Sequence, residues 1–140
     1  MKGIFSNCHL LKVLPDLSKW KTNNVISISH LFEKCSSLNN LPDISNWDMA
    51  KVIYMESFFY SCSSLKSLPD ISNWKVDNIE LIEYLFGGYE SIKSLPDLSK
   101  WKINKVKSFK KLFYECSSLE SLPNIPDWNI NQSNDISNLC

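Results

Sequence analysis

Arginine is absent from this chain: all 15 basic residues are Lys, set against 15 Asp and Glu, for no formal net charge. That argues against nucleic acid as a partner, because phosphate attraction needs a basic field and base readout leans on the guanidinium fork. Glycine is scarce, with 3 in 140 residues, and the one adjacent pair, Gly87 and Gly88, begins neither a GxGxxG nor a GKS sequence, which excludes a phosphate-cradling loop. No apolar run reaches the roughly 18 to 20 residues of a membrane span, and residues 1–7 turn polar too early for the apolar part of a signal peptide. Histidine is limited to His9 and His30, and neither motif nor spacing sets a nucleophile or carboxylate beside them. The sequence therefore predicts no enzyme and implies no cofactor. With 44% apolar and 21% charged residues, neither disorder nor a collagen-like class fits, and 140 residues suffice for one domain with its own core.

What the chain does have is periodicity. Trp20, Trp47, Trp74, Trp101 and Trp128 lie 27 apart, as do Pro15, Pro42, Pro69, Pro96 and Pro123. Written from its cysteine, the unit reads CSSLKSLPDISNWKVDNIELIEYLFGG over residues 62–88, with further copies starting near Cys8, Cys35, Tyr89 and Cys116. A period of this size marks arrays in which each unit buries its apolar side against the next. After the Trp, Val25, Ile28, Phe32 and Cys35, like Val52, Met55, Phe59 and Cys62, step by three, four and three, which predicts a helix of about three turns with one apolar stripe. Asn23, Asp77 and Asn104 stand where they would cap it. Leu65, Leu68 and Ile71, bounded by Ser and Pro, predict a short strand and turn.

The expected fold class is thus α/β: a leucine-rich-repeat-like solenoid with one short strand and one helix per 27-residue repeat. Its parallel sheet would lie on the concave side, since strands repeat at ~4.8 Å and packed helices at ~8 to 10 Å. Residues 1–140 form a single solenoid of about five repeats whose ends lack evident polar caps. A parallel β-helix competes, but residues 78–86 alternate poorly for it.

The pattern FxxCSSLxxLPDISxW followed by VxxMxxxF resembles the repeats of the BspA-like leucine-rich-repeat surface-protein family, over all five copies. The resemblance implies a leucine-rich-repeat-like solenoid, a place in a longer cell-surface or adhesive protein, and binding rather than catalysis. One departure is the LPDIS or LPDLS of this chain where the family has LDLS; the added Pro removes a backbone donor and predicts a bulge or an interrupted ladder.

Repeats allow columns to be compared within one sequence. The uniform Trp column reads as core, each indole N–H bonded to a nearby carbonyl, over the alternative of an exposed aromatic ladder for glycans. Cys8, Cys35, Cys62 and Cys116 share a column with Tyr89 and lack the close pairing of zinc ligands, so they read as buried free thiols. Cys140 lies off the column and reads as an exposed thiol able to bridge chains. Asp16, Asp43, Asp70 and Asp97 form an acidic ladder that could hold Ca²⁺, although Asp after Pro commonly accepts bonds from its own turn. The Lys cluster at residues 100–111 predicts pairing across the period, Glu80 with Lys107 and Glu83 with Lys110, rather than an anion site. Tyr54, Tyr60, Tyr84 and Tyr114 fall in variable columns and are the residues expected to contact a partner.

The function expected from these columns is a non-enzymatic protein-binding or adhesion module, its partner another protein. The alternative is an assembly element that stacks end to end with other copies or with a larger array. Free thiols and the lack of a signal peptide point inside the cell, whereas the family resemblance points to its surface.

Overall fold

The computed structural model describes residues 1–125, Trp128 and Ile130. Isolated parallel bridges join Ser27 to Tyr54, Tyr54 to Leu81 and Leu81 to Ser108, so successive units lie side by side in register. Residues 28–35 and their copies make most of this junction. The amides of Ile28, His30, Phe32 and Lys34 donate to the carbonyls of Tyr54, Glu56, Phe58 and Tyr60, at 2.7–3.1 Å. One unit later, Met55, Ser57, Phe59 and Ser61 donate in the same way to Leu81, Glu83, Leu85 and Gly87. The amides between them turn back within the unit, Leu31 to Ile28, Glu33 to His30 and Cys35 to Phe32. Ser29 donates to the Ser27 hydroxyl at 3.3 Å, so every amide from 28 to 35 has an acceptor without helix or sheet.

Turns this tight need left-handed backbone. Two positions per unit have positive φ, four residues apart: Gly3 and Asn7, His30 and Lys34, Ser57 and Ser61, Tyr84 and Gly88, Lys111 and Glu115. Each non-glycine residue among them carries a steric cost of about 1–2 kcal/mol, which the ladder and the core must offset.

The expected α/β solenoid does not form. Among the described residues there is no α-helix, and the three bridges are the only extended pairing. The stretch 25–35 cannot be helical, because left-handed His30 and Lys34 break the right-handed path and alternate amides serve the next unit instead of the carbonyl four residues back. Asn23, Asp77 and Asn104 cap no helix; they occupy turns closed by Val25 on Thr22, Ile79 on Val76 and Val106 on Ile103. The strand at residues 65–71 is also missing. There Leu65 closes a turn on Cys62, Pro69 has no amide to give, and backbone bonds between units thin to Lys66 on Asn39 and Glu120 on Lys93. With neither sheet nor helix row, the concave sheet has no counterpart, and the competing β-helix lacks its strands as well.

In their place, the chain points an apolar residue inward at nearly every third position. Ile28, Leu31, Cys35, Leu38, Ile44 and Trp47 are buried, with Val25 and Leu41 half-buried in the same series. Two columns of side-chain donors then tie this core across the stack, although Trp128 Nε1 finds no acceptor among the described residues. Trp47, Trp74 and Trp101 donate Nε1 to the carbonyls of Leu17, Ile44 and Ile71 at 3.0–3.1 Å. Cys35, Cys62 and Cys116 donate Sγ–H to the carbonyls of Phe5, Phe32 and Phe86 at 3.0–3.1 Å. Five of those six carbonyls already accept a turn amide, such as Trp20 on Leu17 and Cys35 on Phe32, so there the side chains engage the second lone pair. The indoles stack from Trp20 to Trp128 with centroids 5.9–6.4 Å apart, and Phe5, Phe32, Phe59, Phe86 and Phe113 form a parallel column.

Candidate functional site: a tyrosine cluster beside a polar groove

The left-handed turns bring two neighbouring columns to the surface of the stack, and three of the four expected tyrosines meet there. Tyr60 and Tyr84 touch edge to face with ring centroids 5.2 Å apart. The Lys111 ammonium lies 4.4 Å from the Tyr114 ring centroid and 5.4 Å from that of Tyr84, a cation held over two π faces. Gly87 makes the cluster compact. It stands in the column of Tyr60 and Tyr114, and a Cβ there would come within 3.2 Å of the Tyr60 ring and 3.3 Å of the Tyr114 carbonyl. A hydrogen bond to Glu115 raises the Tyr114 phenol above its ordinary range. Tyr54 stands apart in the bridge column, 40% exposed and without ring contact to the other three.

Beside the cluster runs an open groove along the stack. One wall is the left-handed column of Lys34, Ser61, Gly88 and Glu115; the other includes Ser36, Ser63, Glu90 and Ser117, with His9 at one end. Between the two wall columns in sequence lies the column of Cys8, Cys35, Cys62, Tyr89 and Cys116.

The other sequence-derived candidates occupy structural positions. Trp47, Trp74, Trp101 and Trp128 are buried, and Trp20, on the first unit, is half-buried. Burial lifts the Cys35 thiol to about 11 and the Cys62 thiol further still, while Cys8 and Cys116 are half-buried. Cys140 lies outside the described residues. Asp16, Asp43, Asp70 and Asp97 each accept the amide of the Ser two residues on, at 2.8–2.9 Å, and these Ser bonds hold the carboxyls below their ordinary range. No three metal-ligating side chains converge among the described residues.

Within the Lys cluster, Lys107 pairs with Glu80 as the period suggests, Lys105 bonds Asn78 at 2.6 Å and Lys100 bonds Asn73 at 2.9 Å. Glu83 and Lys110 form no ion pair among the described residues; instead Lys93 meets Glu120 at 3.2 Å. One cluster escaped the sequence. His30 Nδ1 lies 3.2 Å from Glu33 Oε2, which also accepts the Ser6 hydroxyl at 3.1 Å. The 27-residue separation of Ser6 and Glu33 could have revealed it. Because the hydroxyl donates to the carboxylate and not to the imidazole, this is a polar clasp between units and not an activated nucleophile.

The architecture is that of a repeat protein whose units stack in register. The chain belongs to the family described as "Mycoplasma protein of unknown function, DUF285", whose model matches residues 1–69 and 40–140. No curated protein and no solved structure matches it. Among the described residues, no helix is long and apolar enough to cross a membrane.

Proposed function

We propose that this protein is a non-enzymatic binding module that engages another protein through the tyrosine cluster. The observation that carries this reading is the convergence of Tyr60, Tyr84 and Tyr114, from three different units, around the Lys111 ammonium on one surface. Half-exposed tyrosines supply large contact area at low entropic cost, and interfaces are enriched in them. The resemblance of the residue pattern, though not of the fold, to BspA-like surface proteins supports an adhesive role outside the cell. Replacing Tyr60, Tyr84 and Tyr114 together by Ser should leave the melting temperature within a few degrees and abolish capture of the partner; undiminished capture would refute the reading.

A second reading, end-to-end stacking with other copies, is favoured by the face of the first unit. Phe5, Cys8, Leu11 and Trp20 are only half-buried there, and the carbonyls of Lys2, Ile4 and Ser6 accept no bond from the described residues. Sedimentation across a concentration series tests it, since a monomer at every concentration would exclude stacking.

A further inference from the structure

We infer that the groove beside the tyrosine cluster receives an extended peptide running along the stack, with an acidic side chain over Lys34 and a basic one over Glu90 and Glu115; this rests on the binding-module reading above. The groove is dipolar. Among its described residues the only lysine, Lys34, belongs to the second unit, whereas the two carboxylates, Glu90 and Glu115, belong to the units at the other end. Lys34 and Glu90 are exposed and form no ion pair among the described residues. Between the charged ends, the hydroxyls of Ser61 and Ser63 donate to no group among the described residues, which leaves them for backbone amides and carbonyls of a ligand.

Gly88 shapes the wall. A Cβ there would lie 2.9 Å from Ser61 Oγ and 3.0 Å from Ser61 Cα, so glycine lets the third and fourth units close up along this wall. Gly87, next to it, likewise leaves no side chain between Tyr60 and Tyr114.

The spacing sets the ligand's length. Three unit steps separate Lys34 from Glu115; at ~4.8 Å per step this is about 14 Å, which roughly four extended residues span at ~3.4 Å each. Separated opposite charges favour a peptide over a neutral glycan, which has no use for them.

The test uses the full chain and a dye-labelled, end-blocked peptide of sequence DDSGSKK, followed by fluorescence polarisation at low salt. We expect it to bind about tenfold more tightly than the scrambled control DKSGSDK, an advantage that shrinks in ~0.5 M salt. The single variants Lys34→Glu and Glu115→Lys should each weaken binding by about fivefold. Equal binding of the two peptides, no binding of either, insensitivity to the single variants, or displacement by a neutral glucan hexamer would each overturn the inference. Tyrosine-dependent partner capture that survives alongside such a failure would leave the binding-module reading standing; capture that ignores the tyrosines would remove both.

Discussion

Tyr89 is the one residue of the thiol column that cannot do what its column mates do, and removing its hydroxyl should stabilise the protein. Cys62 and Cys116, one unit to either side, each donate Sγ–H to the phenylalanine carbonyl of the preceding unit. The Tyr89 ring fills the same column, is fully buried, and its hydroxyl has no hydrogen-bond partner among the described residues. A buried donor left unsatisfied costs about 1–3 kcal/mol. Tyr89→Phe removes that cost and leaves a gap of roughly 15 Å³, which at ~24 cal/mol per Å³ returns about 0.4 kcal/mol. The net expectation is a gain of about 1–2 kcal/mol, or a rise in melting temperature of about 3–7 °C for a chain of this size. Urea unfolding at constant m reads it directly. The companion Tyr89→Cys restores the column's donor but empties the space of a ring, so it should lose about 2–4 kcal/mol. Burial also drives the phenol's pKa well above its ordinary value, so Tyr89 should not ionise in the folded protein. A loss of about 1 kcal/mol or more in Tyr89→Phe would refute the reasoning, because it would mean that the hydroxyl is satisfied in solution.

Gly88→Ala should cost about 1–3 kcal/mol in a urea titration, since it combines a φ of 75° with a Cβ only 2.9 Å from Ser61 Oγ and 3.0 Å from Ser61 Cα; an unchanged midpoint would show that the units can part there. Cys62 should resist maleimide at pH 8 until the protein unfolds, as burial keeps its thiol protonated, whereas half-buried Cys8 should react faster; rapid native-state labelling of Cys62, read by mass spectrometry, would contradict its placement. Stability should fall on acidification. The four turn carboxyls of Asp16, Asp43, Asp70 and Asp97 are held below their unfolded value of about 3.9, so their contribution is complete above that pH and disappears as the pH drops through the lowered folded values. Replacing all four by Asn, which keeps an acceptor that does not titrate, should flatten the melting temperature between pH 5 and about 2; an unchanged slope would assign the acid sensitivity elsewhere.

How far the sequence carries depends on which physical signal each feature leaves in it. The unit length, the register and the side-chain columns were legible, because a residue that packs on its own copy one period away must recur there: Trp74 stacks on Trp47 and Lys107 reaches Glu80. The local backbone was not legible in the same way. Val25, Ile28, Phe32 and Cys35 satisfy a helical stripe, yet Leu31 is buried too, and the inward steps of three continue through Leu38, Leu41, Ile44 and Trp47, well beyond any helix bounded by Ser and Pro. A stripe judged over ten residues cannot separate a period of 3.6 from one of three; judged over all 27 residues it can, since 27 is nine threes and seven and a half helical turns. The left-handed positions left a weaker trace, because His30, Lys34, Ser57, Ser61, Tyr84, Lys111 and Glu115 occupy places where glycine or asparagine is the usual choice. Only Gly3, Asn7 and Gly88 mark the two columns, and they cover just two of the five units. In an isolated chain those seven residues would oppose the turn; here the amides beside them are anchored to the neighbouring unit, so propensity yields to stacking. That is also why the tyrosine cluster could be named but not assembled: Tyr60 and Tyr84 sit 24 residues apart, off the period, and only the two left-handed turns of each unit swing their columns together.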